Sequence, residues 1–234
     1  MRAAKNGEPA DHVYAHISDA ILEQRLRPGT RLGEQALSGI FGVNRPVIRR
    51  ALMRLSYERL VDIRPHRGAS VASPTPDEAR QVFEARQVIE RWTVAGCIAR
   101  ADSDVTETLR RLVGEEAKAT EARDRARWVR LSGEFHLALA RGAGNMRLYG
   151  FLEDLVAQTS LIISLYGSAA EPACADDEHS KIVDAIAAGD LDRATGLMDA
   201  HLSACESGLV FDADPETQDL RAIFAPDYGS RQTV

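Results

Sequence analysis

Apolar residues recur every three or four positions along most of the chain, the spacing that places them on one face of a helix. Near the amino terminus this pattern predicts a helix over residues 11–26, a short helix over residues 34–40 and a third helix that begins at Asn44. Two short apolar runs, residues 60–63 and 69–72, then flank a loop with proline and glycine, which predicts a β-hairpin. Residues 1–73 are thus expected to form three helices and a hairpin.

The third predicted helix has the features of a helix that reads DNA. Asn44 is a good N-cap, and Pro46 falls in the first turn, where its missing N–H breaks no hydrogen bond. Gly42 in the preceding turn allows a positive φ. The apolar stripe of the helix leaves four arginines on its other faces: Arg45, Arg49, Arg50 and Arg54. Two helices joined by such a turn form a helix-turn-helix, and the following hairpin makes it a winged helix.

Helical spacing continues through the rest of the chain, without a further alternating strand pattern. Two prolines within residues 73–76 indicate a domain boundary, because proline disfavours helix at the residue before it. The helices predicted beyond the boundary are residues 77–100, one that includes residues 105–113, and residues 124–141, 146–166, 176–188 and 190–210. We therefore expect a mainly α fold. The winged helix-turn-helix (1–73) is followed by a linker (74–76), an all-α bundle of six to seven helices (77–212) and a flexible tail (213–234).

Composition narrows the class of protein. The 234 residues are comfortable for two domains, and 44% hydrophobic with 27% charged residues is typical of a soluble globular protein. No apolar run approaches the ~20 residues that cross a bilayer, and the start lacks a signal-peptide core, so we expect a cytoplasmic protein with no membrane partner. Cys97, Cys174 and Cys205 lack C-x-x-C spacing and indicate neither a disulfide framework nor a thiolate zinc cluster.

Charge is divided unevenly along the chain. The net charge is −6, yet residues 1–73 hold 12 Lys and Arg against 7 Asp and Glu, a net of +5, which leaves −11 for the remainder. A basic amino-terminal part supplies the phosphate attraction that DNA binding needs. Charge also varies between the halves of proteins that bind no DNA, so this observation alone leaves both readings open.

Three histidines of the second half occupy helical positions that otherwise have a buried pattern: His136, His179 and His201. Any one of them alone is better explained as a satisfied core or surface imidazole. Together they are candidates for a metal site, because imidazole is the commonest nitrogen ligand and helices of a bundle can each contribute one. They lie on separate predicted helices, so their spacing in the sequence does not show whether they meet.

The amino-terminal motifs resemble those of the GntR family of bacterial transcriptional regulators. The resemblance rests on the sequences PGTRL at 28–32, GVNRP at 42–46, RRAL at 49–52, the run 55–60 and PHRG at 65–68. It implies that Arg45 and Arg49 approach bases or phosphates and that the wing tip enters the minor groove. The remaining positions that it assigns to the DNA interface are Gln35, Asn44, Arg50, His66, Arg67 and Gly68.

The second half is similar to the FCD-type ligand-sensing domain of the FadR branch of that family. The similar sequences are VFEARQVIERW at 82–92, EFH at 134–136 with the following Gly144-Asn145, and EHSKIVDAIAAGDLDRA at 178–194 with His201. Many members of that branch bind a divalent metal through three histidines and an aspartate, which implies His136, His179 and His201 as ligands here. Ser132 stands where the aspartate would be, and a hydroxyl is the weaker ligand. Three imidazoles can still hold zinc or nickel.

The same resemblance places Arg86 where the family has an arginine that faces an effector carboxylate. Guanidinium and carboxylate form a bidentate charge-assisted pair, so a small organic acid would suit this position. A salt bridge from Arg86 to Glu90, four residues later on the same helix, explains the residue as well. Asn145 is assigned either to the effector or to the cap of the following helix, and capping is favoured.

The interpretation is a metabolite-responsive transcriptional repressor, not an enzyme, that binds a pseudo-palindromic operator in double-stranded DNA as a homodimer. Two alternatives stay open. In the first, the bundle only dimerises and binds no ligand. In the second, the three histidines and a nearby glutamate activate water in a metal-dependent hydrolase. No H-E-x-x-H, G-x-S-x-G or phosphate-loop motif supports the hydrolase.

Overall fold

The structure, a computed structural model, describes residues 8–100, 103–167, 177–211 and 218–229, with side chains in the last stretch as far as Phe224. Contacts divide the chain into two compact units. The first unit comprises residues 1–73 together with residues 212–234, and the second comprises residues 74–211. The division between residues 73 and 74 coincides with the start of the proline-containing linker expected from the sequence.

The first unit contains the expected winged helix. Its elements are α1 (Pro9–Leu22), α2 (Glu34–Phe41), α3 (Arg45–Tyr57), β1 (Val61–Arg64) and β2 (Gly68–Val71). The two strands are antiparallel, with Val61 opposite Val71 and Arg64 opposite Gly68. α1 is shorter than the predicted helix over residues 11–26, and Gln24, with a φ of 61°, has left the helical conformation. The helix-turn-helix and the hairpin are therefore confirmed.

The turn between α2 and α3 follows the predicted chemistry. Gly42 ends α2 with a φ of 63°, the left-handed conformation that glycine adopts at low cost. Asn44 caps α3, since its side chain accepts a hydrogen bond from the backbone N–H of Val47 at 3.1 Å. Below the turn, Leu37 of α2 and Ile48 of α3 are fully buried, so the two helices are fixed to one core.

Residues 218–229 are the described part of the expected flexible tail (213–234), and residues 213–217 and 230–234 lie outside the described residues. Leu220–Gly229 form a further helix, α10, that contacts α2 and belongs to the first unit. Phe224 of α10 is fully buried, and its ring centroid lies 5.2 Å from that of Phe41. Burial of an aromatic ring stabilises this short helix, because a helix of ten residues is marginal on its own. Leu220, Ile223 and Phe224 have helical spacing, but the run is short and lies between Pro215 and Pro226, which favoured the expectation of a flexible tail.

The second unit is a bundle of six helices in the described residues. They are α4 (Pro76–Arg100), α5 (Ser103–Glu121), α6 (Arg125–Ala143), α7 (Met146–Tyr166), α8 (Glu178–Ala187) and α9 (Leu191–Ser207). α4 contacts α6, α7, α8 and α9, so it lies at the centre of the bundle. Asp124 and Asp190 cap α6 and α9 through their side chains, and Gly144 ends α6 with a φ of 79°. The all-α bundle is therefore confirmed.

α7 is a long apolar helix. By length and composition alone, α7 could cross a membrane, since its most apolar 18-residue window has a mean hydropathy of 1.2. In the bundle α7 instead packs on α4 and α6. Its Leu152 and Val156 form one core cluster with Ala140 of α6. This packing buries 39% of the apolar window of α7.

Candidate functional site

The three candidate histidines converge inside the second unit. His136 comes from α6, His179 from α8 and His201 from α9, and each is at most 6% exposed. Their Nε2 atoms meet: those of His179 and His201 are 3.2 Å apart, and those of His201 and His136 are 3.3 Å apart. Residues that lie on three helices therefore form one compact, buried cluster of ligand atoms.

The spacing of these nitrogens fits a transition-metal ion. Zinc binds histidine nitrogen at about 2.0–2.1 Å, so two nitrogens at adjacent corners of a tetrahedron lie roughly 3.3–3.4 Å apart. The two Nε2 separations in the cluster match this value. These two separations therefore suit a tetrahedral metal site, and all the ligand atoms of the cluster lie within 4.8 Å of one another.

The Nδ1 atom of each imidazole contacts a carboxylate. Glu90 Oε2 lies 2.5 Å from His136 Nδ1, and Glu178 Oε2 lies 2.9 Å from His201 Nδ1. Both oxygens of Glu116 lie within 3.0 Å of His179 Nδ1. A carboxylate that accepts from Nδ1–H fixes the tautomer whose Nε2 carries the lone pair, which is the arrangement around histidines that bind metal. All three Nε2 atoms are thereby oriented as ligands toward one point.

Burial keeps two of the three histidines neutral. It lowers the pKa of His136 well below its usual value despite Glu90, and it lowers the pKa of His179 with a further contribution from His201. Burial also acts to lower the pKa of His201, but Cys205 and Glu178 raise it to about 10. A metal ion would therefore meet two unprotonated imidazoles and would displace a proton from the third.

The carboxylates respond to burial in different ways. Burial raises the pKa of Glu116 to about 8, against a smaller opposite effect of His201. Burial likewise acts to raise the pKa of Glu90, but Arg86 and His136 lower it to about 2. Glu90 therefore stays ionised between two positively polarised partners. A cation held by the Nε2 atoms would favour the ionised form of Glu116 as well.

Sequence reasoning named Glu90 only as a partner of Arg86, and it missed Glu116 and Glu178. Glu116 carried a signal, because it continues the stripe of Leu109 and Leu112 on α5 and is 7% exposed, unusual for a charge on an apolar face. Glu178 directly precedes His179 in the chain, where adjacency on a helix gives no hint that it pairs with His201 instead. Ser132, which stands where the family has a metal-binding aspartate, is half-buried one turn before His136.

Arg86 is buried next to the cluster, with 3% of its surface exposed. Its Nε donates to Glu90 Oε1 at 2.7 Å, and its Nη1 donates to Thr159 Oγ1 at 2.7 Å. Its Nη2 lies 2.5 Å from Glu90 Oε1, but the angle is too poor for a hydrogen bond, and this buried atom has no hydrogen-bond acceptor. The salt bridge to Glu90 therefore forms, and one donor of the guanidinium is still unsatisfied.

Glu90 connects Arg86 to the histidine cluster. One of its oxygens accepts from Arg86 and the other contacts His136, so the three side chains form a continuous buried chain. Asn145, the other candidate effector residue, caps α7 by accepting from the N–H groups of Arg147 and Leu148. Its side-chain oxygen is thus used by the helix.

The candidate DNA contacts lie on the surface of the first unit. Exposed residues at the start of α3, on α2 and at the hairpin tip include every predicted position: Gln35, Asn44, Arg45, Arg49, Arg50, His66, Arg67 and Gly68. His66 and Gly68 have φ values of 60° and 77°, so the tip is a tight left-handed turn. An exposed tip and an exposed arginine face are what a winged helix needs for contact with two grooves.

Acidic and amide side chains of α2 hold the arginines of α3. Arg49 donates to both carboxylate oxygens of Glu34, at 3.0 and 2.9 Å, and Arg45 donates to Gln35 at 3.1 Å. Glu34 is a residue that sequence reasoning missed. Its bidentate pair with Arg49 orders a long side chain that would otherwise be mobile, although exposed ion pairs contribute little stability.

Comparison with known sequences identifies the protein family of this chain. The family model "Bacterial regulatory proteins, gntR family" matches residues 9–71. The family model "FCD domain" matches residues 81–204, which are more than half of the chain. The chain belongs to the gntR family. It is a transcriptional regulator with an amino-terminal DNA-binding domain and a carboxy-terminal FCD domain.

Individual relatives support this placement. The HTH-type transcriptional repressor GlaR of Escherichia coli K12 is 28% identical over 198 residues, which cover 81% of this chain and 90% of GlaR. The HTH-type regulator YdhC of Bacillus subtilis is 27% identical over 143 residues, 61% of this chain and 64% of YdhC, less than two thirds of its length. A solved GntR regulator from Rhodococcus sp. RHA1 shares the fold, with a TM-score of 0.70 and 23% identity over 89% of this chain and 100% of its own.

Proposed function

We propose that this regulator is a cytoplasmic repressor that binds a pseudo-palindromic operator as a homodimer and changes its affinity for DNA when its FCD domain binds a small organic acid together with a divalent metal. The observation that carries the proposal is the cluster of three Nε2 atoms, each backed by a carboxylate, beside a buried arginine with an unsatisfied donor. The repressor role is transferred from GlaR, which is 28% identical.

The chemistry of the donor set favours zinc or nickel. Imidazole nitrogen suits borderline metals such as Zn²⁺ and Ni²⁺, whereas Mg²⁺, Ca²⁺ and Mn²⁺ prefer carboxylate and carbonyl oxygen. The serine at position 132 removes the one carboxylate that the family adds to the ligand set, and so strengthens this preference. His136, His179 and His201 would hold the ion, and the ion would offer its remaining positions to an anionic oxygen.

An organic acid is the effector class that the site fits. Three glutamates and Arg86 surround the cluster, so a divalent ion brings the local charge close to neutral and leaves no place for a cationic ligand. Nη2 of Arg86, which has no hydrogen-bond acceptor, would donate to a carboxylate of the effector. A bundle that only dimerised would gain nothing from such an unsatisfied, buried donor.

The DNA-binding part is testable without knowledge of the target genes. Purified protein used to select sequences from random duplex DNA is expected to enrich a two-fold symmetric site with half-sites about one helical turn apart. In gel-shift titrations the logarithm of the binding constant should fall linearly with the logarithm of salt concentration, because arginines displace counterions from phosphates. Enrichment of an asymmetric site, or no enrichment at all, would contradict the dimeric operator.

The metal part is testable through the residues behind the histidines. Glu116→Gln is expected to weaken zinc binding by about 10–100-fold, because the amide no longer polarises His179 through its Nδ1. Glu115→Gln is the matched control, one residue away on the same helix with its carboxylate on the surface. Titration against a chromophoric chelator measures both affinities. Equal affinities for the two variants would show that Glu116 is only a packing residue.

A further inference from the structure

A groove lies between α3 and the hairpin within the first unit. Its volume is about 710 Å³, and three of the predicted DNA contacts line it: Arg49, Arg67 and Gly68. Residues 31–33, which precede α2, line it as well. The groove therefore continues the surface that is expected to bind DNA.

Large apolar side chains line this groove and are exposed. Met53 and Tyr57 of α3 are 47% and 83% exposed, and Ile63 of β1 is 46% exposed. Met53 and Tyr57 follow Arg49 by four and eight residues, so the three side chains lie along one face of α3. Apolar residues that are exposed together and bordered by charges are typical of an interaction site.

The charged residues of the groove are mainly basic. Three arginines and one glutamate line it: Arg31, Arg49, Arg67 and Glu34. The glutamate is already paired with Arg49. Among the residues that the structure describes, neither Arg31 nor Arg67 forms an ion pair through its side chain. An antiparallel bridge to Ser70 of β2 fixes the backbone of Arg31 beside the hairpin. The groove therefore suits an anionic partner that guanidinium groups can bind.

The exposure of the lining favours an extended anion over a small molecule. A small-molecule pocket covers about 70–90% of its ligand. In this groove, by contrast, the large apolar side chains are themselves close to half exposed or more. A polymer that continues through the groove needs no such enclosure. A DNA strand combines negative phosphates with the apolar faces of its sugars, so it matches both the arginines and the apolar lining.

The position of the groove fits one particular strand of a bound duplex. The start of α3 is expected to enter the major groove of DNA, and the hairpin tip with His66 is expected to enter the adjacent minor groove. A sugar-phosphate strand separates each major groove from the next minor groove. That strand must therefore pass between α3 and the hairpin, where Arg31 and Tyr57 lie.

We propose that the groove between α3 and the hairpin binds one sugar-phosphate strand of DNA, with Arg31 as a phosphate contact and Met53, Tyr57 and Ile63 against the sugars. Arg31 lies outside the two helices and the hairpin tip, which contain all the DNA contacts predicted from the sequence. It adds affinity without reading bases, because the phosphate is the same at every base pair. This contact rests on the expected docking of α3 and the hairpin tip into adjacent grooves, but not on a two-fold symmetric operator or on a metal.

The phosphate contact is tested by the salt dependence of binding to a duplex of random sequence. Arg31→Gln is expected to reduce by about 0.9 the slope of the logarithm of the binding constant against the logarithm of salt concentration, because one phosphate fewer loses its counterions. Arg31→Lys keeps the charge and should keep the slope. The matched control is Arg59→Gln, an exposed arginine of the same unit that does not line the groove. An unchanged slope for Arg31→Gln, or an equal reduction for Arg59→Gln, would overturn the contact.

The apolar part of the groove is tested by Tyr57→Ala. This variant should bind every duplex about 2–5-fold more weakly at an unchanged salt slope, because it loses apolar contact area and no charge. Gel-shift titrations at several salt concentrations measure both quantities. An affinity equal to that of the unmodified protein would show that the sugars do not pack against Tyr57.

Ethylation interference on the duplex selected above locates the strand. Ethyl groups on single phosphates remove their charge, and those that prevent binding are identified in the unbound fraction. Arg31→Gln should lose this sensitivity at one phosphate between the major-groove and minor-groove bases that the protein protects, whereas Arg59→Gln should lose none. A lost phosphate elsewhere would contradict the position of the groove. If selection enriches no symmetric site, the proposed operator fails, and the salt dependence on random duplexes still decides the contact of Arg31.

Discussion

His201→Ala is expected to lower the zinc affinity by more than ~100-fold, a larger loss than a residue behind a ligand causes. His201 is central to the cluster, because its Nε2 is the one within 3.3 Å of both other Nε2 atoms. Two imidazoles would remain, and two nitrogens on separate helices bind zinc far more weakly than three. Isothermal titration at fixed pH and elemental analysis of the purified variant measure this loss.

The same substitution should remove the stabilisation that zinc confers. Free zinc at ~1,000 times its dissociation constant stabilises a protein that binds it only when folded by about 4 kcal/mol. For a chain of this size that corresponds to a rise in melting temperature on the order of 10 °C. His12→Ala, which removes an imidazole from the first unit, is the control and should keep the full rise. An undiminished rise in His201→Ala would show that zinc binds elsewhere.

Arg49→Ala should weaken binding to the selected operator by about 1–3 kcal/mol, roughly 5–150-fold, if Arg49 reads a base through two N–H groups of its guanidinium. The bidentate pair with Glu34 already orders the guanidinium of Arg49, so less side-chain entropy is lost on binding to DNA. Competition gel shifts with the selected site and with scrambled duplexes measure affinity and specificity together.

The matched control for this experiment is Arg110→Ala, which removes the same charge from an exposed position on α5. Its affinity for the operator should stay within about 2-fold of the unmodified protein, because Arg110 is an exposed residue of the second unit and not one of the predicted DNA contacts. A third result is informative. Arg49→Ala could weaken binding to all duplexes equally and reduce by about one the slope of the logarithm of the binding constant against the logarithm of salt concentration. In that case Arg49 contacts a phosphate and does not read a base.

Local rules were sufficient for the winged helix. Gly42 and Asn44 determine where α2 ends and α3 begins through backbone conformation and a side-chain cap, both of which depend on residues within four positions. The same is true of the glycine that closes α6. Such features are visible in the sequence because the atoms that interact are close neighbours along the chain.

The histidine cluster depends on contacts that local sequence rules do not predict. The resemblance implied His136, His179 and His201 as ligands. Their spacing did not show that Glu116 of α5 contacts His179 or that Glu90 of α4 contacts His136. These pairs join residues 63 and 46 positions apart, so they depend on how whole helices pack. The helix α10 was missed for the same reason, because its stability comes from contact with α2 and not from its own sequence.

The sequence by itself determined the elements of this protein: the winged helix, the helices of the bundle, the boundary near residue 73 and the residue types that can bind DNA or a metal. These follow from hydrophobic periodicity, caps and charge, which act between near neighbours. Only the tertiary structure decided that three imidazoles share one point, that a glutamate orients each of them and that the chain returns to cover α2. Those arrangements depend on side chains far apart in sequence, and packing of the helices alone brings them together.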